Sequence, residues 1–183
     1  MRNNLAEISD INIDLDVLHA EWQKQVVYSS DHEWQSRNYV ELEFFTPYFQ
    51  VLLESINDII GEEPKNYVIQ CHDQALVDDK WYLNIVHTDD DRKTCITLPV
   101  SFNRMEPINF YSKDTPIPER GKPMKEKPEQ VGWYSTKHPT LVNVANYHNV
   151  RVLDDNESRI LIQLSYDLSF EEIISKQINT RII

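Results

Sequence analysis

The chain has 183 residues, 40% of them hydrophobic, with 18 basic against 30 acidic side chains and a formal charge of −12. Its length and apolar content suit one domain with a continuous core, while the charge repels nucleic-acid phosphates and anionic membrane surfaces at long range. Three glycines, two cysteines and the absence of a long apolar run argue against a flexible linker, a disulfide scaffold and a segment of the roughly 20 residues that crosses a bilayer.

The first residues, Met1 to Glu7, lack the apolar centre of a secretory signal, so a cytoplasmic protein is expected. Leu15, Leu18 and Trp22 recur at helical spacing after Asp14 and predict an amphipathic helix over about residues 14–27. The polar stretch from Ser29 to Asn38 reads as a loop. A second helix is better marked. Thr46 can cap it, Pro47 suits its first position, Phe49, Leu52, Leu53, Ile56 and Ile60 form one stripe, and Gly61 ends it.

After Gly61 the period changes. Short runs rich in Val, Ile, Thr and Tyr predict strands at Tyr67–Cys71, Trp81–Val86, Thr94–Val100 and Ile108–Tyr111. From Lys113 to Lys137 the prolines at 116, 118, 123 and 128 predict a long loop, a candidate lid. Strand signals return at Thr140–Ala145, His148–Leu153 and Arg159–Tyr166, and a short helix is expected from Ser169, with Glu171 and Glu172 in its first turn. Helices followed by seven or eight short strands predict an α+β, mainly β, chain: a sandwich or jelly roll backed by helices. Residues 1–61 would supply the supporting helices and residues 62–183 the β core, with the loop at 113–137.

The chemistry concentrates where one strand ends. Residues i and i+2 of a strand point the same way, so His87 and Asp89 can converge on one ion as the chain enters the acidic turn Asp89-Asp90-Asp91. Alone the triplet is weak, because exposed His and Asp in a polar turn are ordinarily just solvated. One distant histidine would complete a two-His, one-carboxylate facial triad, whose open positions suit non-haem Fe(II) and O2. His148, 61 residues after His87, stands at the start of a predicted strand; His138, 51 residues after and with Arg151 as its partner, lies in a loop before Pro139. Eleven residues beyond His148, Arg159 opens an alternating run and shares a face with Leu161, Gln163 and Ser165. A buried guanidinium there needs an anion, and its planar fork matches a carboxylate; Asp154, Asp155 or Glu157 are the local alternatives. In Cys71-His72-Asp73, adjacent side chains of an extended segment diverge, so His72 reads as an edge or pocket-wall residue. Of four tryptophans, Trp133 beside the proline-rich loop is the one expected near a substrate pocket.

Two blocks of the chain resemble the Fe(II)- and 2-oxoglutarate-dependent dioxygenases, in particular small stand-alone members from bacteria and their viruses. The first runs through Ile85-Val86-His87-Thr88-Asp89, Arg92 to Val100 and Pro107 to Tyr111; the second runs from Pro139 to Asn143, through His148-Asn149-Val150, to Arg159–Tyr166. The order His-x-Asp, distal His, then Arg about ten residues later is what makes the resemblance specific. It implies a double-stranded β-helix, a jelly-roll variant of cupin type. It implies that His87, Asp89 and His148 bind iron, that Arg159 holds the distal carboxylate of 2-oxoglutarate, and that O2 is consumed to give succinate, CO2 and a hydroxylated product. Such a protein's task is positioning and exclusion of water.

The chain also departs from the family. Many members carry Ser two residues after the Arg, where this chain has Leu161, and relatives often carry Asn before the Leu-Pro-like step, where it has Thr97. The second cosubstrate contact is therefore open among Tyr82, Thr94 and Tyr111. Two other functions compete: a cupin-type metalloenzyme that does not use 2-oxoglutarate, which Arg159 argues against, and a catalytically silent jelly roll serving as a binding or structural module. A peptidyl side chain or small metabolite is the expected substrate, with a nucleobase disfavoured by charge.

Overall fold

In the computed structural model the described residues are 4–26, 39–41, 46–72, 86–89, 91–101, 108–114, 129–134, 138–150, 159–176 and 178–182. Two helices lead the main sheet. Helix α1, Leu15–Val26, starts where the Asp14 carboxylate accepts the N–H of Val17 at 3.1 Å, satisfying one of the donors a helix start leaves open. Helix α2, Pro47–Ile60, has Thr46 at its N-cap in extended conformation, proline in its first turn and Gly61 at its C-cap with φ 71°. The two helices are coupled at their starts. Glu21 of α1 contacts the Thr46 hydroxyl and accepts the Tyr48 N–H at 3.3 Å, and the Tyr48 hydroxyl accepts the Asp14 N–H. Phe49, Leu52, Ile56 and Ile60 are the buried stripe of α2, with Leu53 partly buried beside it.

The strands are β1 (Leu5–Ile8), β2 (Tyr39–Glu41), β3 (Asn66–His72), β4 (Thr94–Ser101), β5 (Ile108–Tyr111), β6 (Gln130–Tyr134), β7 (Thr140–Val142), β8 (His148–Val150), β9 (Arg159–Tyr166) and β10 (Thr180–Ile182). Among the described residues they form a seven-stranded sheet, ordered β10-β1-β7-β4-β9-β3-β2, and a three-stranded sheet, ordered β6-β5-β8. All pairs are antiparallel. Helix α3, Phe170–Ile174, follows β9 and begins with a capping box between Ser169 and Glu172.

Alternation along the central strands divides the core. Ile96, Leu98 and Val100 of β4, Leu141 of β7, and Ile162, Leu164 and Tyr166 of β9 pack with α1, α2, Phe170 and Ile173. On the opposite face Leu5, Cys95 and Val142 pack with Ile108 and Phe110 of the small sheet. That second face also carries a buried polar row across three strands, in which Thr97 is paired with Thr140 on one side and with Gln163 on the other. Pro99 sits in β4, inside the large sheet, where it has no N–H to give; the β4–β9 register shifts between Pro99 and Ser101, an irregularity that accommodates it.

The expected order, helices before strands, needs correction. β1 precedes α1 and β2 lies between the helices, and both belong to the large sheet. Strands of three or four residues are too short to establish a period; β1 is held because it pairs on both sides, with β10 and with β7. Inside the expected loop 113–137, residues 130–134 form β6, the edge of the small sheet. The four prolines all precede this segment, so they did not exclude a strand there. Residues 115–128 and 135–137 lie outside the described residues, as do 81–85 of the expected strand Trp81–Val86 and the expected loop Ser29–Asn38. No helix among the described residues is long and apolar enough to cross a membrane.

The C-cap and the buried stripe of α2 respond differently to substitution. A Cβ added at Gly61 would meet only Lys176 Nζ, at 3.9 Å, so Gly61→Ala costs only the strain of the left-handed conformation, about 1–2 kcal/mol. Ile56→Ala, which opens a cavity at a fully buried site, costs about 2–5 kcal/mol. Urea unfolding of the two variants is expected to rank them in that order.

Candidate metal centre

Backbone hydrogen bonds place the three ligand-type residues of the site. His87 and His148 form an antiparallel bridge, each N–H donating to the other's carbonyl at 2.9 Å. Two residues on, the Asp89 N–H donates to the Val144 carbonyl at 3.1 Å. The connecting loop is closed by Lys93 N–H on Tyr166 O, Ala145 N–H on Lys93 O, and the Lys65 ammonium on the Asp91 carbonyl at 2.9 Å. The turn before His148 is tied to the N-terminal segment, because Asn143 N–H donates to the Asn4 carbonyl and Asn146 Nδ2 to Asn4 Oδ1.

The side chains then converge. One donor atom from each of His87, Asp89 and His148 lies within 4.8 Å of the others: His87 Nε2 is 3.5 Å and His148 Nε2 3.9 Å from Asp89 Oδ1. The imidazole centroids are 4.6 Å apart. The remaining polar atoms are largely committed elsewhere. His148 Nδ1 is 2.9 Å from the Asn146 carbonyl; a carbonyl can only accept, so Nδ1 carries the proton and Nε2 keeps its lone pair. Asp89 Oδ2 accepts from Arg92 Nε at 2.6 Å, leaving Oδ1 toward the imidazoles. Two imidazole nitrogens and one carboxylate oxygen, with His148 and Asp89 each backed by an outer partner, fit a metal ion.

The electrostatics favour the same arrangement. Burial alone would raise the Asp89 pKa, but hydrogen bonding by His87 and the charges of Arg92 and His148 outweigh it and hold the carboxyl well below the usual carboxylate range. Burial, with His87 alongside, pushes the His148 imidazole down to about 4. At neutral pH the site therefore presents an ionised carboxylate and a neutral buried imidazole, the protonation states a metal requires. His148 is buried and packs against Phe110, whereas the His87 side chain is 48% exposed. The cluster thus has a closed wall and an open side.

Of the two candidates for the third ligand the fold selects His148; His138 is an exposed residue before β7, outside the cluster. Two of the proposed cosubstrate contacts lie away from the cluster. Thr94 is in phase with Ile96 and Leu98, on the helix-covered face of β4, and its hydroxyl is buried there without a hydrogen-bond partner. Tyr111 lies on the face of β5 opposite Phe110, and its hydroxyl donates to Asn149 Oδ1 at 3.0 Å, in a network with Asn109 and Gln130. Strand alternation, which aimed His87 and Asp89 together, aims these two away. Tyr82 lies outside the described residues, as does the side chain of Arg159, whose backbone pairs with His72 at the start of β9. Trp133 is 67% exposed on β6.

Arg92 was missed. Besides Asp89 it reaches β9, where Nη1 donates to Gln163 Oε1 at 3.1 Å and to Ser165 Oγ at 3.0 Å. Its place three residues after Asp89 was the available signal, since a cation in the same turn is the nearest compensation for a buried carboxylate.

The depressed His148 pKa makes stability depend on pH with a definite sign. Between about 6.5 and about 4 the unfolded chain takes up a proton that the folded chain refuses, so stability falls as pH falls. The slope approaches about 1.4 kcal/mol per pH unit from this group. Urea unfolding of metal-free protein at pH 7, 6 and 5 is expected to show a shallower fall for His148→Gln than for the unsubstituted chain; parallel slopes would contradict the neutral buried imidazole.

No family model matches the chain, and no curated protein matches it in sequence. Among solved structures, a Pseudomonas putida prolyl-4-hydroxylase aligns with a TM-score of 0.43 and 7% identity, over 88% of this chain and 86% of that one. AviO1 from Streptomyces viridochromogenes Tue57 aligns with a TM-score of 0.51 and 11% identity, over 89% of each chain. The chain therefore shares the overall fold of AviO1, a likeness of architecture that leaves the chemistry to be argued from the site.

Proposed function

We propose that the chain is a cytoplasmic Fe(II)- and 2-oxoglutarate-dependent dioxygenase, built as a double-stranded β-helix in one domain, that hydroxylates a peptidyl side chain or a small metabolite. The observation that carries this reading is the His87, Asp89 and His148 cluster, two imidazoles and one carboxylate with an open side. Structural zinc sites are usually closed by a fourth protein ligand, whereas two histidines and one carboxylate with open positions suit non-haem iron. Iron(II) bound there would supply O2 activation coupled to oxidation of 2-oxoglutarate to succinate and CO2.

The chain's own residues fit the remaining tasks. Arg159 is proposed to hold the distal carboxylate of 2-oxoglutarate; it occupies β9 in phase with Gln163 and Ser165, the residues that Arg92 ties to the metal-ligand loop. The buried row Thr140, Thr97 and Gln163 on the same face is held by its own hydrogen bonds, the Thr97 hydroxyl donating to the Thr140 carbonyl, the Thr140 hydroxyl to the His138 carbonyl and Arg92 to Gln163 Oε1, which fixes β9 beside the site. Phe110 and His148, both buried members of the small sheet, form the wall on that side and exclude water there.

Metal-free protein loaded anaerobically with Fe(II) and 2-oxoglutarate is expected to release succinate and CO2 slowly when O2 is admitted, even without prime substrate. His87→Ala should abolish release, and Arg159→Ala should raise the KM for 2-oxoglutarate. Metal binding with no 2-oxoglutarate turnover would favour a metalloenzyme of another kind, and no metal binding a silent module; tight 2-oxoglutarate binding that needs no metal would also defeat the proposal.

A further inference from the structure

Arg92 does more in this fold than neutralise a neighbour. Its side chain is only 14% exposed, and its guanidinium is held from two directions: Nε on Asp89 Oδ2, and Nη1 on Gln163 Oε1 and Ser165 Oγ. β9, which carries the last two, is bonded to β3 on one side and β4 on the other, so it is an anchor that moves little. A guanidinium is planar with donors in a rigid fork. Fixing its plane on β9 therefore fixes where Oδ2 must sit, and with it the rotation of the whole carboxylate.

We infer that Arg92 is a positioning residue that locks Asp89 as a one-oxygen metal ligand, coupling the ligand's orientation to strand β9. The inference rests on the metal-site reading and is independent of 2-oxoglutarate use. An unrestrained carboxylate can turn both oxygens to a metal and occupy an extra coordination position. With Oδ2 engaged in a short charge-assisted bond, only Oδ1 faces the imidazoles, and the positions needed by other ligands stay open. Charge alone predicts the opposite consequence for affinity, since a guanidinium beside a dication repels it. Arg92 also helps to keep Asp89 ionised, so the charge-keeping Arg92→Lys is the variant that separates orientation from charge.

The test is a titration of the metal-free full chain with Co(II), read by visible absorption and by calorimetry. Arg92→Met and Arg92→Lys are both expected to weaken binding roughly tenfold to a hundredfold, the usual consequence of losing an outer-shell partner; Lys keeps the charge but cannot span Asp89 and β9 together. Gln163→Leu should weaken binding in the same direction by less. At saturating Co(II) the spectra of the Arg92 variants should differ from that of the unsubstituted chain, a change that a purely structural role would not produce. Unchanged or tighter binding by Arg92→Met would overturn the inference. If that variant does not fold, unchanged affinity and spectrum in Arg92→Lys and Gln163→Leu overturn it equally. Failure of the unsubstituted chain to bind Co(II), or binding indifferent to His87→Ala, would instead defeat the metal-site reading itself.

Discussion

Asp89 keeps a negative charge where its side chain is only 11% exposed, and the cost of that desolvation organises everything around it. A buried carboxylate without compensation would destabilise the fold by several kcal/mol. Here the compensation comes chiefly from Arg92, which reaches to β9, with His87 of the same loop alongside. His148 and Arg92 each have a further anchor, His148 on the Asn146 carbonyl and Arg92 on Gln163 and Ser165. The constraint is mutual. The partners must stand where they do for the charge to be tolerated, and the charge draws them toward one point.

The large sheet lets stability and chemistry occupy different faces. Its helix-covered side is apolar, with Ile56, Ile60, Ile96, Leu98, Leu141, Leu164 and Ile173 almost entirely buried; burial of that kind supplies most of the stabilising free energy of a domain this size. The other side mixes Cys95 and Val142 with the polar row Thr140, Thr97 and Gln163. β4 and β9 serve both faces at once, because successive side chains of a strand point to opposite sides.

Regular elements were legible in the chain where the local pattern ran long enough. α2 declared its cap, its stripe and its terminal glycine within sixteen positions, Thr46 to Gly61, and the structure places all three there. β4, β5 and β9 likewise carried enough β-branched and aromatic residues to be read directly. β1, β2 and β10 were not, since their few residues include Glu or Arg and no run of β-formers, and they are strands because of what they pair with. β6 was hidden behind the prolines that precede it.

By itself the sequence determined α2 and the mainly β character of the chain after it, and it brought His87 and Asp89 together, because a two-residue spacing in an extended segment is a local property of the backbone. The resemblance nominated His148, but only the tertiary structure decided between it and His138: a bridge across 61 positions of chain is a fact of sheet pairing. The same holds for the outer partners. Arg92 meets Gln163 and Ser165 more than seventy positions away, and Thr94 and Tyr111 turn away from the site because of the phase in which β4 and β5 join their sheets. Local spacing sets which side chains can point together; strand register sets which distant ones meet them.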